Sequence, residues 1–314
     1  MPVRNGAAHV RSALHDLTGQ TLRDLEIVVV DDASTDETVA VVDAVGDPRV
    51  RVVAGAGTGI VDALRRGVDA ARAPYLARMD ADDRCRPDRL ARQADLLDAR
   101  PDVVLVGSAF AVVDPAGRVE RVEVLPTDDA ALRRSLWVRN PFAHGSVMVR
   151  RSAYDAVGGY RADRPAAEDY DLWCRLATVG PLAALPAVLY DWQRSAAGTS
   201  ARLADVQRTS MAAALAARWA DGPPPLDDRH TLAARHARAV AEGPPGAAER
   251  ADELELAVVV GLARHGRGRR AAAQLGAFLA SRPGAVGAAS VYAASGGRVT
   301  RVHRVLAGVR RRVR

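Results

Sequence analysis

Three short runs at residues 25–30, 49–53 and 75–79 are separated by two amphipathic helical stretches, and this alternation leaves the chain few ways to fold. The first run is apolar and rich in β-branched residues, the pattern of a strand covered on both faces. Thr35 or Asp36 caps the next helix, which carries Val39, Val42 and Val45; a glycine loop then leads into a second helix with Ile60, Leu64, Val68 and Ala71 on one face. Pro74 stops it. Strands alternating with helices imply an α/β fold, an open and mostly parallel Rossmann-like sheet whose ligands bind at the carboxyl ends of the strands.

The flanking sequence continues in the same style. Val10, Ala13, Leu14 and Leu17 predict a first helix, and Pro87 opens another with Leu90, Ala94 and Leu97 inward. A strand at 103–106, a hairpin around 115–117, a loop then strand over 140–149, and a last strand at 187–192 follow, with a polar loop at 195–200. Glu168 and Asp169 begin a helix whose Leu172, Trp173 and Leu176 form an apolar face. The three prolines at 223–225 read as a linker, which places a domain boundary near residue 220: residues 1–220 form the α/β domain and residues 221–314 a helical C-terminal appendage.

Composition narrows the possibilities. A chain of 314 residues with 48% hydrophobic and 26% charged content is an ordinary globular protein, not a disordered or collagen-like one. No apolar run approaches the roughly 18 residues of a membrane span, and Arg4, Asn5, His9, Arg11, His15 and Asp16 interrupt any signal core, so a cytoplasmic location is expected. Cys85 and Cys174 are too few for a disulfide framework or a four-cysteine zinc site and read as free thiols. The net charge of +6 gathers at the end, where residues 298–314 hold seven arginines and no acid. Val299, Val302, Leu306, Val309 and Val313 fall near one helical face there, leaving two readings open: a peripheral contact with an anionic membrane surface, or a solvated basic helix. Without interleaved aromatics, the tail is not expected to bind nucleic acid.

The chemistry is carried by two acidic clusters, each directly after a predicted strand. Asp31, Asp32, Ser34 and Asp36 follow the first, and Asp80, Asp82 and Asp83 follow the third. Three carboxylates within four residues repel one another unless a cation is near. A hard divalent ion such as Mg²⁺ or Mn²⁺ takes one or two protein carboxylates and fills its shell with water and phosphate oxygens, which would place Asp80 and Asp82 on a metal-bridged diphosphate. The plainer reading is a turn-forming acidic loop with Asp82 or Asp83 as the cap. Glu168 and Asp169 have a plain reading too, as first-turn acids complementing a helix dipole.

Four ordered segments carry a resemblance: Pro2-Val3-Arg4-Asn5, residues 26–36, residues 77–83, and residues 168–175. Together they resemble a family 2 glycosyltransferase of the GT-A fold. The resemblance implies an inverting enzyme that moves a sugar from a nucleotide-diphospho-sugar donor to a hydroxyl on a saccharide or lipid-linked acceptor, in polysaccharide or glycolipid assembly. It implies that Pro2, Asn5, Asp31 or Asp32, and Ser34 cradle the base and ribose, that Asp80 and Asp82 form the DxD element on ribose and metal, and that Asp169 is the general base. Residues 140–145 resemble an acceptor-side loop, with His144 either touching substrate or held by a structural hydrogen bond. Trp173 and Trp192 read as packing residues, and residues 192–194 as a possible source of a diphosphate contact.

Two departures stand out. Arg65 occupies the place where relatives often have a nucleotide-proximal asparagine, and no hydrophobic strand precedes Pro2, so a start upstream of Met1 is expected. Two other readings compete: a nucleotidyltransferase, which would want a basic phosphate anchor where this chain has only Arg4 and Arg11, and a catalytically inactive GT-A-like binding module.

Overall fold

A computed structural model describes residues 1–136, 140–163 and 167–194 of the chain. The expected polar loop at 195–200, the boundary near 220, the helical appendage and the basic tail all lie outside the described residues.

The first run folds as β2 (Ile27–Asp31), with its first four residues buried. β1 (Pro2–Val3) and β3 (Val50–Ala54) flank it in parallel, Pro2 opposite Val30 and Ile27 opposite Val50. Helices α1 (Val10–Thr18), α2 (Thr38–Asp43) and α3 (Ile60–Ala70) connect these strands and lead onward. α1 buries Val10, Ala13, Leu14 and Leu17, the face its spacing predicts. Ala63 of α3 packs with Val28 and Val30, closing one side of β2 with apolar surface.

The second sheet is mixed. It holds β4 (Tyr75–Ala77), β5 (Arg84–Cys85), β6 (Leu105–Val113), β7 (Val119–Glu123), β8 (Met148–Arg150) and β9 (Leu182–Gln193). The order is β4-β8-β6-β9-β5, with β7 on β6. β6 and β9 run parallel along its centre, and every residue of β6 is buried. β9 begins five residues before the predicted 187–192 strand because a register shift at Ser108/Ala109 lets the exposed Pro186 bulge out of the ladder. Around this sheet lie α4 (Arg89–Ala99), α5 (Asp129–Leu136), a 3₁₀ turn at His144–Ser146, α6 (Arg151–Ala156) and α7 (Glu168–Val179).

One expectation is corrected. The third run was expected to join the first two in one parallel sheet, which would put both acidic clusters on one edge. Instead β4 pairs antiparallel with β8, Tyr75 opposite Arg150, so the clusters end strands of two separate ladders. Among the described residues β1 pairs only with the end of β2, and no ladder joins it to β4. Beside the rest of β2 lies a cavity of about 760 Å³, walled by Val28, Val30, Leu76 and Met148. The Met1 ammonium sits in that wall, donating to Val28 O at 2.8 Å, and burial drives its pKa down to about 5. Among the described residues, no helix is long and apolar enough to cross a membrane.

Candidate active site

The loop after β2 is locked by the loop after β1. Asn5 and Ala33 both adopt left-handed backbone, at φ 52° and 58°, conformations that non-glycine residues hold only where their surroundings fix them. Asn5 N donates to Ser34 Oγ at 2.8 Å, and Thr35 N donates back to Asn5 Oδ1 at 2.8 Å. Asp31 Oδ2 accepts from Ser34 N at 3.3 Å, and the buried Asp32 accepts from Gly59 N at 3.0 Å through Oδ2. Gly59 reaches it with φ 105°, a conformation closed to other residues. Asp31 Oδ1 and Asp32 Oδ1 are buried acceptors without a donor, the kind of atoms a ligand hydroxyl or amide satisfies.

Behind the second cluster, the three aspartates divide their work. Asp83 is 1% exposed; its Oδ2 accepts from Tyr190 Oη at 2.6 Å and its Oδ1 from Gln193 N at 2.7 Å, tying the loop to β9. Burial, and then the neighbouring Asp82 charge, pushes its pKa up to about 7. Tyr190 Oη also accepts from Asp80 N at 3.3 Å. Asp80 pairs with the guanidinium of Arg78. Asp82 is half-buried at the rim of a cavity of about 660 Å³ and accepts no hydrogen bond from the described residues. Among the described residues no three acidic, histidine or cysteine side chains converge into a complete cation cage. Two carboxylates on one turn, one of them open, nonetheless match a hard divalent ion that brings its remaining oxygens from water and a diphosphate.

Asp169 stands at the start of α7, where its charge complements the helix dipole. Asn140 Nδ2 donates to its Oδ2 at 2.6 Å, and Tyr170 N donates to its Oδ1 at 2.7 Å. Asn140 is itself oriented by Phe142 N, which donates to its Oδ1 at 3.2 Å. The adjacent Glu168 is 8% exposed. Burial, reinforced by the Asp169 charge, pushes its pKa up to about 8, and burial raises Asp169 as well. With the Asn140 side-chain amide and the Tyr170 backbone amide favouring its ionised form, Asp169 is the member of the pair better suited to hold the negative charge, and Glu168 the one to hold the proton.

That assignment predicts a pH effect. Folded Glu168 binds its proton more tightly than the unfolded chain does, so its contribution to stability is complete below pH 4.5 and is lost as pH rises towards 8. Between these limits wild-type stability in urea should fall relative to Glu168→Gln by on the order of 1 kcal/mol per pH unit. Parallel stability curves for the two proteins would show that Glu168 is ionised throughout.

The two sets of residues are each joined internally: Asn5, Asp31 and Ser34, with Asp32 next in the chain, around the first loop, and Asp80, Asp83 and Asp169 around the second. Pro2 is buried beside Val30 in β1. The second set is linked through Tyr190, which abuts Gly145, and through His144, whose Nδ1 is 3.8 Å from Glu168 Oε1. His144 Nε2 and Tyr160 Oη share a hydrogen bond at 2.8 Å, and Trp173 meets the ring edge-on, so this histidine has the structural hydrogen bond of the plainer reading. Trp173 is fully buried, Trp192 lies on β9, and Arg194 pairs with Glu120. Arg65 is exposed on α3; it is Arg66, paired with Asp62 at 2.6 Å, that feels the Asp32 charge. Sequence reasoning missed Arg78, Asn140 and Tyr190. Only Asn140 gave a signal, as the first residue of the 140–145 loop.

The profile of glycosyl transferase family 2 matches residues 1–158, half of the chain. The chain belongs to that family. A family 2 relative, the amylovoran biosynthesis glycosyltransferase AmsE of Erwinia amylovora, is 34% identical over 185 residues, covering 58% of this chain and 69% of AmsE. The putative glycosyltransferase EpsE of Bacillus subtilis is 28% identical over 188 residues, covering 57% of this chain and 66% of EpsE. Among solved structures, TarS residues 1–349 of S. aureus, in complex with UDP-GlcNAc, superposes with a TM-score of 0.61 at 16% identity, covering 87% of this chain and 82% of that one. The mannosyltransferase PcManGT of Pyrobaculum calidifontis, in complex with GDP-Man and Mn²⁺, gives a TM-score of 0.52 at 22% identity, covering 98% and 82% of the two chains. The fold of this family 2 glycosyltransferase is therefore GT-A.

Proposed function

We propose that this glycosyltransferase moves a sugar, with inversion, from a nucleotide-diphospho-sugar to a hydroxyl of a saccharide or lipid-linked acceptor. The observation that carries the reading is Asp169: a carboxylate held by Asn140 and the Tyr170 amide, beside a Glu168 that favours its proton. Asp169 takes the proton from the acceptor hydroxyl as that oxygen bonds to the anomeric carbon. The bond from that carbon to the diphosphate breaks, and its electron pair leaves with the nucleoside diphosphate. One displacement by one base inverts the anomeric centre.

Asn5, Asp31, Asp32, Ser34 and Pro2 form the nucleoside side of the site, with the donorless Asp31 Oδ1 and Asp32 Oδ1 as its acceptors for base or ribose. Arg65, exposed on the same helix as Arg66, is assigned to the edge of this side. Asp80 and Asp82 would hold Mg²⁺ or Mn²⁺, which when bound supplies positive charge to the leaving diphosphate. The two structural neighbours, with UDP-GlcNAc and with GDP-Man and Mn²⁺, support a donor of this chemistry. AmsE in amylovoran biosynthesis and a 36% identical match to the succinoglycan biosynthesis protein ExoO of Rhizobium meliloti support polysaccharide assembly as the setting. We place residues 1–220 as the catalytic domain and 221–314 as an appendage, working at the cytoplasmic face of a membrane that the basic tail contacts.

A screen of UDP- and GDP-sugars with Mn²⁺ tests the reading. Nucleoside diphosphate release should appear for one donor and fall at least tenfold with EDTA or in Asp82→Ala. Release unaffected by both would remove the cation, and no turnover of any nucleotide sugar would favour a binding module. The anomeric configuration of the product, read by NMR, tests inversion.

A further inference from the structure

The hydrogen bond that anchors His144 also decides what its second nitrogen can do. Burial, and then the Arg78 charge, holds the imidazole well below its usual pKa, so the ring is neutral and carries one N–H. Its Nε2 shares a hydrogen bond with Tyr160 Oη at 2.8 Å, and among the described residues that hydroxyl has no other partner. Were the proton on Nε2, the buried Tyr160 hydroxyl would have nothing to donate to; with Tyr160 as donor the hydroxyl is satisfied and the ring proton sits on Nδ1. Nδ1 lies 3.8 Å from Glu168 Oε1, in contact and just outside hydrogen-bonding range.

The position of Tyr160 is fixed from α7 itself. Arg175 donates to Val157 O at 2.6 Å and to Gly159 O at 2.7 Å, while Asp171 Oδ2 accepts from its Nε at 2.9 Å. Gly158 and Gly159, at φ 75° and 62°, turn the chain there in left-handed backbone that favours glycine. Tyr160 N then donates to Tyr154 Oη at 3.1 Å. Trp173, also on α7, meets the His144 ring edge-on. These contacts close a circuit that leaves α7 at Arg175 and returns to it at Glu168.

We propose that His144 is a positioning residue of the transfer reaction: locked by Tyr160 with its proton on Nδ1, it presents a donor to Glu168 and holds that side chain against the scaffold, leaving Asp169 to face the acceptor. This rests on the reading of Asp169 as base. Glu168 is the first residue of α7, so fixing its side chain fixes the turn on which Asp169 follows. Glu168 can accept from an N–H whether or not it holds its own proton, because a carboxyl group keeps an acceptor oxygen in both states. A histidine kept for packing alone would be served by Trp173 and Tyr160, and would need no carboxyl oxygen against its other nitrogen.

Nitrogen-15 NMR of histidine-labelled protein reads the tautomer with no substrate present, the His144 signals being assigned through their shift in Tyr160→Phe. A proton on Nδ1 in wild type, moving to Nε2 or averaging between the two nitrogens in Tyr160→Phe, is the expected result; a proton on Nε2 in wild type overturns the proposal. The amide of His144→Asn reaches the place of Nδ1, and that of His144→Gln the place of Nε2. With whichever of UDP-GlcNAc and GDP-mannose releases nucleoside diphosphate, His144→Gln should lose about tenfold in kcat at unchanged KM for donor, and His144→Asn should recover it to within about threefold of wild type. Equal losses in the two variants, or a loss shared between kcat and KM, would leave His144 a part of the packing only. Where neither variant folds, the wild-type tautomer decides. Full activity in Asp169→Asn would sink the base itself, an outcome that the tautomer does not report.

Discussion

Asp169→Asn is expected to lower kcat about 10³-fold while leaving the affinity for donor within about twofold. The substitution keeps the shape of the side chain and the Tyr170 amide as a donor to its oxygen, so α7 should survive, with loss of the Asn140 hydrogen bond to the second oxygen. What disappears is a carboxylate that combines an opening to solvent with donors aimed at both of its oxygens. The residues proposed for nucleoside recognition, Asn5, Asp31, Asp32 and Ser34, lie on other loops, and no described hydrogen bond joins them to Asp169. The acid limb of the pH profile should vanish with the base. Stopped-flow donor binding together with steady-state transfer measures both halves; equal loss in KM and kcat would mean that Asp169 holds the loop together instead of moving a proton.

The parts of this site that were legible in the sequence are the parts set by local pattern. A β-branched run ending in Asp31-Asp32, and a second run ending in Asp80-Ala81-Asp82-Asp83, placed both acidic loops at strand ends, and the helix starting at Glu168 was visible from its apolar spacing. What local pattern cannot encode is which ladder a strand joins. β4 reads like β2, yet it pairs antiparallel with β8, some 70 residues later. The same limit hid Arg78, Asn140 and Tyr190. Tyr190 and Asn140 act across long sequence separation, Tyr190 on Asp83 107 residues away and Asn140 on Asp169 29 residues away, and a buried arginine carries no periodic signature. Asp83 shows the limit from the other side. As sequence it was a third carboxylate of the acidic cluster, but its burial and two donors make it the anchor of that cluster, while Asp82 is the one left open.

Gly145→Ala should destabilise the α/β domain by about 3–5 kcal/mol and carry the acidic loop with it. A Cβ at this position would lie 1.7 Å from Tyr190 Oη and 2.2 Å from Cζ, far inside van der Waals contact. Tyr190 has no room to yield: its ring is fully buried, with the Arg89 guanidinium 5.1 Å from the ring centroid and its hydroxyl engaged by Asp83 and by the Asp80 amide. Relief must come from displacing either the 3₁₀ turn, which holds His144 beside Glu168, or β9, which anchors Asp83 through Gln193 N. One route leads to the Glu168–Asp169 pair and the other to the acidic loop, so glycine at 145 is a condition for the proposed base and the acidic loop to share one scaffold. Urea unfolding should show the midpoint falling with little change in slope. Tyr190→Phe in the Gly145→Ala background distinguishes steric from polar loss: removing the hydroxyl should recover a measurable part of the stability, whereas a further equal drop would show that the turn, and not Tyr190, had absorbed the added methyl.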